Sequence, residues 1–131
     1  MKKLPHATAK RSLCPIATAL DVFGDKWSLL LIRDIGLFRR HRYKEFLLGA
    51  EGIPTNILAA RLKSLQASGI VRKRRYQAHP PRYEYHLTQA GEDLVPIIKS
   101  MARWSAQHVS GIRIPTQSPN NNPSSAPAAS H

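Results

Sequence analysis

The stretch Arg72–Tyr85, RKRRYQAHPPRYEY, sets four cations side by side, then a two-proline corner, then tyrosines at alternate positions. Guanidinium and ammonium groups at this spacing do the chemistry of anion capture, pairing with phosphate or carboxylate oxygens. Adjacent like charges repel, so a compact segment of this kind calls for a polyanion. The rest of the chain shares the bias. It carries 20 Lys and Arg against 8 Asp and Glu, a net charge of +12 over 131 residues. Between Arg39 and Arg82 stand 11 basic residues and only two acidic ones, Glu45 and Glu51, so this third of the chain supplies +9. A concentrated basic stripe is the footprint of nucleic-acid binding. A solvated basic face, or an RNA-binding protein of ribosomal type, would carry it too.

Other chemistries have less to stand on. The six histidines, His6, His41, His79, His86, His108 and His131, lack ligand spacing with cysteine or carboxylates, so no metal site and no cofactor is expected. No nucleophile–base pair, paired-carboxylate motif or glycine-rich phosphate loop is present, which argues against an enzyme. The single cysteine, Cys14, excludes an intrachain disulfide and fits a reducing compartment. The N-terminus MKKLPHATAKRS has the charges of a signal peptide but no apolar core behind them. The longest apolar run, WSLLLI, is too short to span a bilayer. The expectation is a cytoplasmic protein with no membrane partner.

The elements that must position these cations follow from periodicity. Pro15 suits the first turn of a helix with Cys14 or Ser12 as cap, and Ile16, Leu20 and Phe23 repeat along one face. Gly24 ends that helix, and Asp25 caps the next, WSLLLIRDIGLF, which reads as buried nearly all round. The loop RRHR leads into a short helix, YKEFLLGAEG. Pro54 then starts IPTNILAARLKSLQASG and Gly69 stops it. Leu58, Leu62 and Leu65 share one side of this helix, and Asn56, Ala60, Lys63 and Ala67 the other. An outward face so slim and weakly charged suits a major groove, although ordinary amphipathic helices also carry surface alanines. IVRKRRYQ and RYEYHLT read as strands joined through Pro80 and Pro81. Strand alternation puts Tyr83, Tyr85 and Leu87 on one face, and turns Arg72 and Arg74 away from Lys73 and Arg75. Thr88 caps a final helix with an apolar stripe of Leu94, Ile97, Ile98, Met101 and Trp104, which Pro96 must bend or break.

The fold class is therefore mainly α with a small β-hairpin: a helix-turn-helix followed by a wing. In that design the second helix of the pair enters the major groove and the hairpin reaches the neighbouring backbone or minor groove. Three spans are expected: a polar basic arm over residues 1–12, the domain over 13–111, and a disordered polar tail over 112–131, whose Pro, Ser, Asn and Ala cannot bury a core.

Three stretches in order, CPIATALDVFGDKW, RYKEFLLGAEGIPTNILAARLKSLQASGIV and PPRYEYHLTQAGEDLVPIIKSMARW, resemble the HxlR-type transcriptional regulators, small bacterial winged-helix proteins of the MarR-like group. The resemblance covers about residues 13–105 without a large gap. Two features depart from it: Asp25 stands where the family usually has a second glycine, and the polar tail is longer than the core motif requires. The resemblance implies a homodimer joined through the first and last helices, with Ile16, Leu20, Phe23, Ile98, Met101 and Trp104 at the interface. It also implies a double-stranded DNA partner in the form of an inverted repeat in a promoter, and control by oxidants, electrophiles or aldehydes.

On that basis Thr55, Asn56, Ala59, Ala60 and Lys63 form the base-facing set. Asparagine pairs bidentately with adenine, alanine touches thymine methyls, and lysine reaches guanine or a phosphate. Arg61 points partly inward and suits a clamp within the domain. Arg40, Arg42, Lys44, Arg72, Arg74, Arg75, His79 and Arg82 are the expected phosphate or wing contacts, with Arg42 and Lys44 adding to the amides that open the short helix. Cys14 is the expected redox or electrophile sensor, its thiol acidified by the helix start and by Lys10 and Arg11; a small buried packing residue is the plain alternative. Two readings of the whole compete with a repressor of this type: an RNA-binding or nonspecific nucleic-acid protein, and a winged helix that binds another protein. The operator, the regulated gene and the inducer are not written in the sequence.

Overall fold

Local chemistry sets most of the element boundaries. The computed structural model describes residues 13–112; the expected arm over 1–12, and the tail beyond residue 112, lie outside the described residues. Pro15 opens α1 (Pro15–Phe23), and the Gly24 amide closes it on the Leu20 carbonyl at 2.8 Å. Asp25 caps α2 (Lys26–Gly36) by accepting from the Ser28 amide at 2.9 Å and from its hydroxyl at 2.6 Å. A short α3 (Tyr43–Leu47) follows, then α4 (Thr55–Ala67) directly after Pro54. Gly69, at φ 80°, stops α4 in a conformation that side chains rarely adopt.

The hairpin pairs β1 (Val71–Gln77) antiparallel with β2 (Arg82–Leu87), in a register that sets Arg72 opposite His86 and Arg74 opposite Glu84. A bulge between Arg75 and Gln77 adds one residue and re-aims the tip. The Tyr85 amide donates to the His41 carbonyl at 2.7 Å, which ties the loop before α3 to the inner edge of the hairpin. The last helix is broken, as Pro96 required. A short α5 (Gln89–Glu92), capped by the Thr88 hydroxyl, ends before the first turn of α6 (Val95–His108), where Pro96 sits without needing a donor.

The core is built where the apolar periods meet. Leu31, Ile32 and Ile35 of α2 and Phe46 of α3 close on Leu58, Leu62 and Leu65 of α4, with Val71, Tyr85 and Leu87 sealing the base of the hairpin. Each fully buried aliphatic side chain contributes about 1.5–3 kcal/mol. Gly36 ends α2 in a tight corner: a Cβ there would lie 2.7 Å from Val95 Cγ2 and 3.0 Å from Leu87 Cδ1.

Among the described residues, α1 and α6 bury no side chain completely. Of the six expected interface residues, Phe23 and Ile98 lean on the core, whereas Ile16 (73% exposed), Leu20 (58%), Met101 (47%) and Trp104 (60%) stand in the open.

Candidate nucleic-acid interface

The leucine face of α4 anchors it so completely that its other side is turned outward by geometry alone. Thr55, Asn56, Ala59, Ala60 and Lys63 are all exposed, and no acidic residue occurs anywhere in the helix. Two contacts fix the helix, one at its first residue and one at its middle. The Tyr43 hydroxyl donates to the Thr55 carbonyl at 3.1 Å, tying α3 to the first turn of α4. Arg61, half-buried as the helical wheel implied, reaches Asp25 at 3.1 Å and so clamps α4 to the start of α2. Burial pushes the Asp25 carboxyl up, but the Ser28 hydrogen bonds and the Arg61 charge more than offset it and leave it below the usual carboxylate range.

The hairpin continues the basic surface. Arg72, Lys73, Arg74 and Arg75 are all exposed, because beyond Val71 and Tyr85 the hairpin leaves the core on both faces. Lys73 Nζ lies 4.2 Å over the Tyr83 ring. The one carboxylate on β2, Glu84, sits opposite Arg74 but is engaged elsewhere: it meets His86 at 3.1 Å and Arg42 at 3.4 Å. The His86 contact, reinforced by Arg42, holds its pKa down. His79 and Arg82 flank the tip and are exposed, and the Gln77 amide braces the turn by donating to the Pro80 carbonyl at 3.1 Å.

Arg40 does not belong to this surface. It is 1% exposed, and its guanidinium pairs with Asp34 at 3.4 Å and stacks 5.5 Å from the Phe38 ring. The reason is local. Arg39 adopts φ 59°, and the chain doubles back so that the Arg40 amide donates to the Asp34 carbonyl at 2.9 Å. Arg33 completes the knot, meeting Asp34 at 2.7 Å and both oxygens of Glu51 at 3.0 Å. Burial pushes the Asp34 carboxyl upward against the pull of both guanidiniums, whereas hydrogen bonding to Arg33 holds Glu51 below its ordinary range. The start of α3 also differs from expectation. The His41 and Arg42 amides donate to Glu45 at 2.8 and 3.1 Å, so a carboxylate already fills the place expected for a phosphate. The Arg42 and Lys44 side chains remain exposed.

Cys14 stands exposed at the start of α1, its thiol pKa lowered by the Ala17 amide and then by the Ile16 amide. It is therefore not a buried packing residue; Lys10 and Arg11 lie outside the described residues. Among the described residues no cluster of His, Cys, Asp or Glu suits a metal ion, and no helix is long and apolar enough to cross a membrane.

Three contributors escaped the sequence reading: Tyr43, which links the two helices of the turn, Glu84, which holds Arg42, and His41, whose ring stacks on His86 at 4.4 Å. Glu84 carried a faint signal as the single acid among the cations of the hairpin. The other two depend on partners 12 and 45 positions away, beyond the reach of any local pattern.

Residues 22–112 match the family described as HxlR-like helix-turn-helix. The chain is 36% identical over 91 residues to YybR of Bacillus subtilis (strain 168), an uncharacterised helix-turn-helix-type transcriptional regulator, covering 70% of this chain and 72% of that protein. Among solved structures it is similar to the redox regulator HypR in its oxidised form, at 35% identity and a TM-score of 0.63, over 72% of this chain and 96% of that one. A structure from Porphyromonas gingivalis W83, assigned to the MarR family of transcriptional regulators, aligns at 33% identity and a TM-score of 0.66, over 78% and 99% of the two chains.

Proposed function

Because this chain belongs to the HxlR-like helix-turn-helix family, whose members are transcriptional regulators and not enzymes, we propose that it acts as a homodimeric, sequence-specific repressor on an inverted-repeat promoter site. The observation that carries this reading is the outward face of α4, five exposed residues without an acid among them, continued by a hairpin of exposed cations. Thr55, Asn56, Ala59, Ala60 and Lys63 lie in the major groove and read base edges. Arg42, Lys44, Arg72, Arg74, Arg75, His79 and Arg82 hold phosphates on either side and fix the register without reading sequence. Ile16, Leu20, Met101 and Trp104, exposed on two helices, meet their counterparts in a second copy, with Phe23 and Ile98 beneath them. Such a twofold pairing sets the two α4 helices on half-sites about 10 bp, or a multiple, apart.

Oxidants or electrophiles release the DNA by modifying Cys14. The exposure and acidity of the thiol support this role, as does the likeness to HypR. Modification beside the proposed dimer contact shifts one copy against the other and moves the recognition helices out of register.

Selection of bound fragments from sheared genomic DNA of the source organism tests the central reading. Enrichment of one inverted repeat is the expected result. Retention of fragments without any shared sequence overturns it and leaves a nonspecific clamp. For the sensor, Cys14→Ser is expected to keep DNA affinity and to lose release by oxidant; unchanged release in that variant removes Cys14 from the mechanism.

A further inference from the structure

The sequence contains four tyrosines, Tyr43, Tyr76, Tyr83 and Tyr85, and all four line one open groove of about 670 Å³ between α3 and the hairpin. This volume is in the range of small-molecule sites, which pair mostly apolar walls with a few fixed polar groups. Three of these residues stay 36–38% exposed, Tyr76 with Arg42 over one face of its ring and Tyr83 with Lys73 over one face of its own, while Tyr85 forms the floor at 9%. The rim is cationic: Arg42, Lys44 and Arg82 line the groove against one carboxylate, Glu45, and that carboxylate is turned onto the amides of His41 and Arg42. Arg42 is also held in place, its guanidinium 4.1 Å over the Tyr76 ring and 3.4 Å from Glu84.

The geometry points to a binding site for a small planar aromatic anion, its ring stacked among Tyr43, Tyr76 and Tyr83 and its anionic group paired with Arg42 and Arg82. Aromatic walls select a flat ring because offset and edge-on ring contacts add to simple burial. A guanidinium prefers a carboxylate or phosphate because it presents two parallel donors. Both an aromatic carboxylate and a nucleoside monophosphate offer this chemistry. The cations of the rim are those proposed above to hold phosphates, and Tyr43 carries the bond to the first residue of α4. An occupied groove therefore competes with DNA, and by linkage DNA weakens the ligand equally. The competition rests on the DNA reading; the binding itself does not.

Isothermal titration of the full chain without DNA, using 2-naphthoate and adenosine monophosphate as probes, tests the site. At least one probe is expected to bind with a Kd of about 1 mM or tighter, and the one that does names the source. Cyclohexanecarboxylate, which lacks the flat ring, and 2-naphthalenemethanol, which lacks the charge, are expected to bind at least about tenfold more weakly. Tyr76→Leu and Arg42→Gln, both at exposed positions, are each expected to weaken the bound probe about tenfold with an unchanged circular dichroism spectrum. Absence of heat from both probes overturns the site, as does binding that the controls equal or that both variants leave intact. Failure of DNA selection with intact probe binding removes only the competition.

Discussion

Two groups of arginines divide this molecule. Arg33 and Arg40 lie in the knot between α2 and the turn toward α4, tied to Asp34 and Glu51; Arg72, Arg74 and Arg75 lie along β1 and are exposed. The charge is the same and the setting opposite, and nearby acid decides which is which. The knot brings two carboxylates to two guanidiniums. Seven residues of β1 hold four cations and no acid, and the one carboxylate across the sheet is occupied by His86 and Arg42. A buried pair adds little net stability, since desolvation offsets the attraction, but the Arg33–Glu51 contact beside it ties α2 to the turn before α4. An exposed array adds nothing to the fold and leaves the field available for a polyanion.

If the hairpin and α4 neutralise about 6–10 phosphates per dimer, affinity for DNA drops by roughly 10³–10⁵ between 50 and 200 mM salt, measured by fluorescence anisotropy. A nearly flat titration would erase the distinction between the two groups. Next in size, Asp34→Ala strands Arg40 without its counter-charge and is expected to lower folding stability by about 3–5 kcal/mol, read from urea unfolding. A loss within about 0.5 kcal/mol would make the knot an ordinary surface pair. Asn56→Ala is expected to weaken binding to the selected operator by about 1–3 kcal/mol while sparing nonspecific DNA. Equal losses on both would move Asn56 from base reading to backbone holding. Arg74→Ala should lower the slope of log affinity against log salt by about 0.9 per lost phosphate contact, without changing the urea midpoint. Arg40→Ala should do the reverse, and a matching pair of phenotypes would break the comparison.

The smallest effect is in pH. The Glu51 pKa is lowered on folding, so its contribution is present above the unfolded value and is lost as pH falls through the folded one. Asp34, raised by burial, acts with the opposite sign. Glu51→Gln should therefore flatten the loss of stability between about pH 6 and pH 3; a parallel curve would show that Glu51 does not titrate in the knot.

Much of the fold was legible because its signals are local. Pro15 and Pro54 mark helix starts, Pro96 marks the break in the last helix, Asp25 and Thr88 cap, Gly69 stops α4, and leucines at helical spacing name the buried side. The exposure of Thr55, Asn56, Ala59, Ala60 and Lys63 follows from those leucines by subtraction. Arg40 was not legible. A loop arginine reads as solvated until a left-handed residue before it and an acid six positions earlier are brought together. The tyrosine groove was half legible: alternation paired Tyr83 with Tyr85, but Tyr43 and Tyr76 join them only through tertiary packing and the bulge in β1.

The corner at Gly36 has a mechanical consequence. Val95 at the head of α6 and Leu87 at the root of the hairpin close on the same point, with no clearance left for even one methyl group. A joint without slack passes displacement on instead of absorbing it. The helix proposed to meet a second copy and the hairpin proposed to grip DNA thus share one pivot at the end of α2, where a shift of either presses on the other. Adding a single carbon at the pivot, as in Gly36→Ala, would wedge both at once.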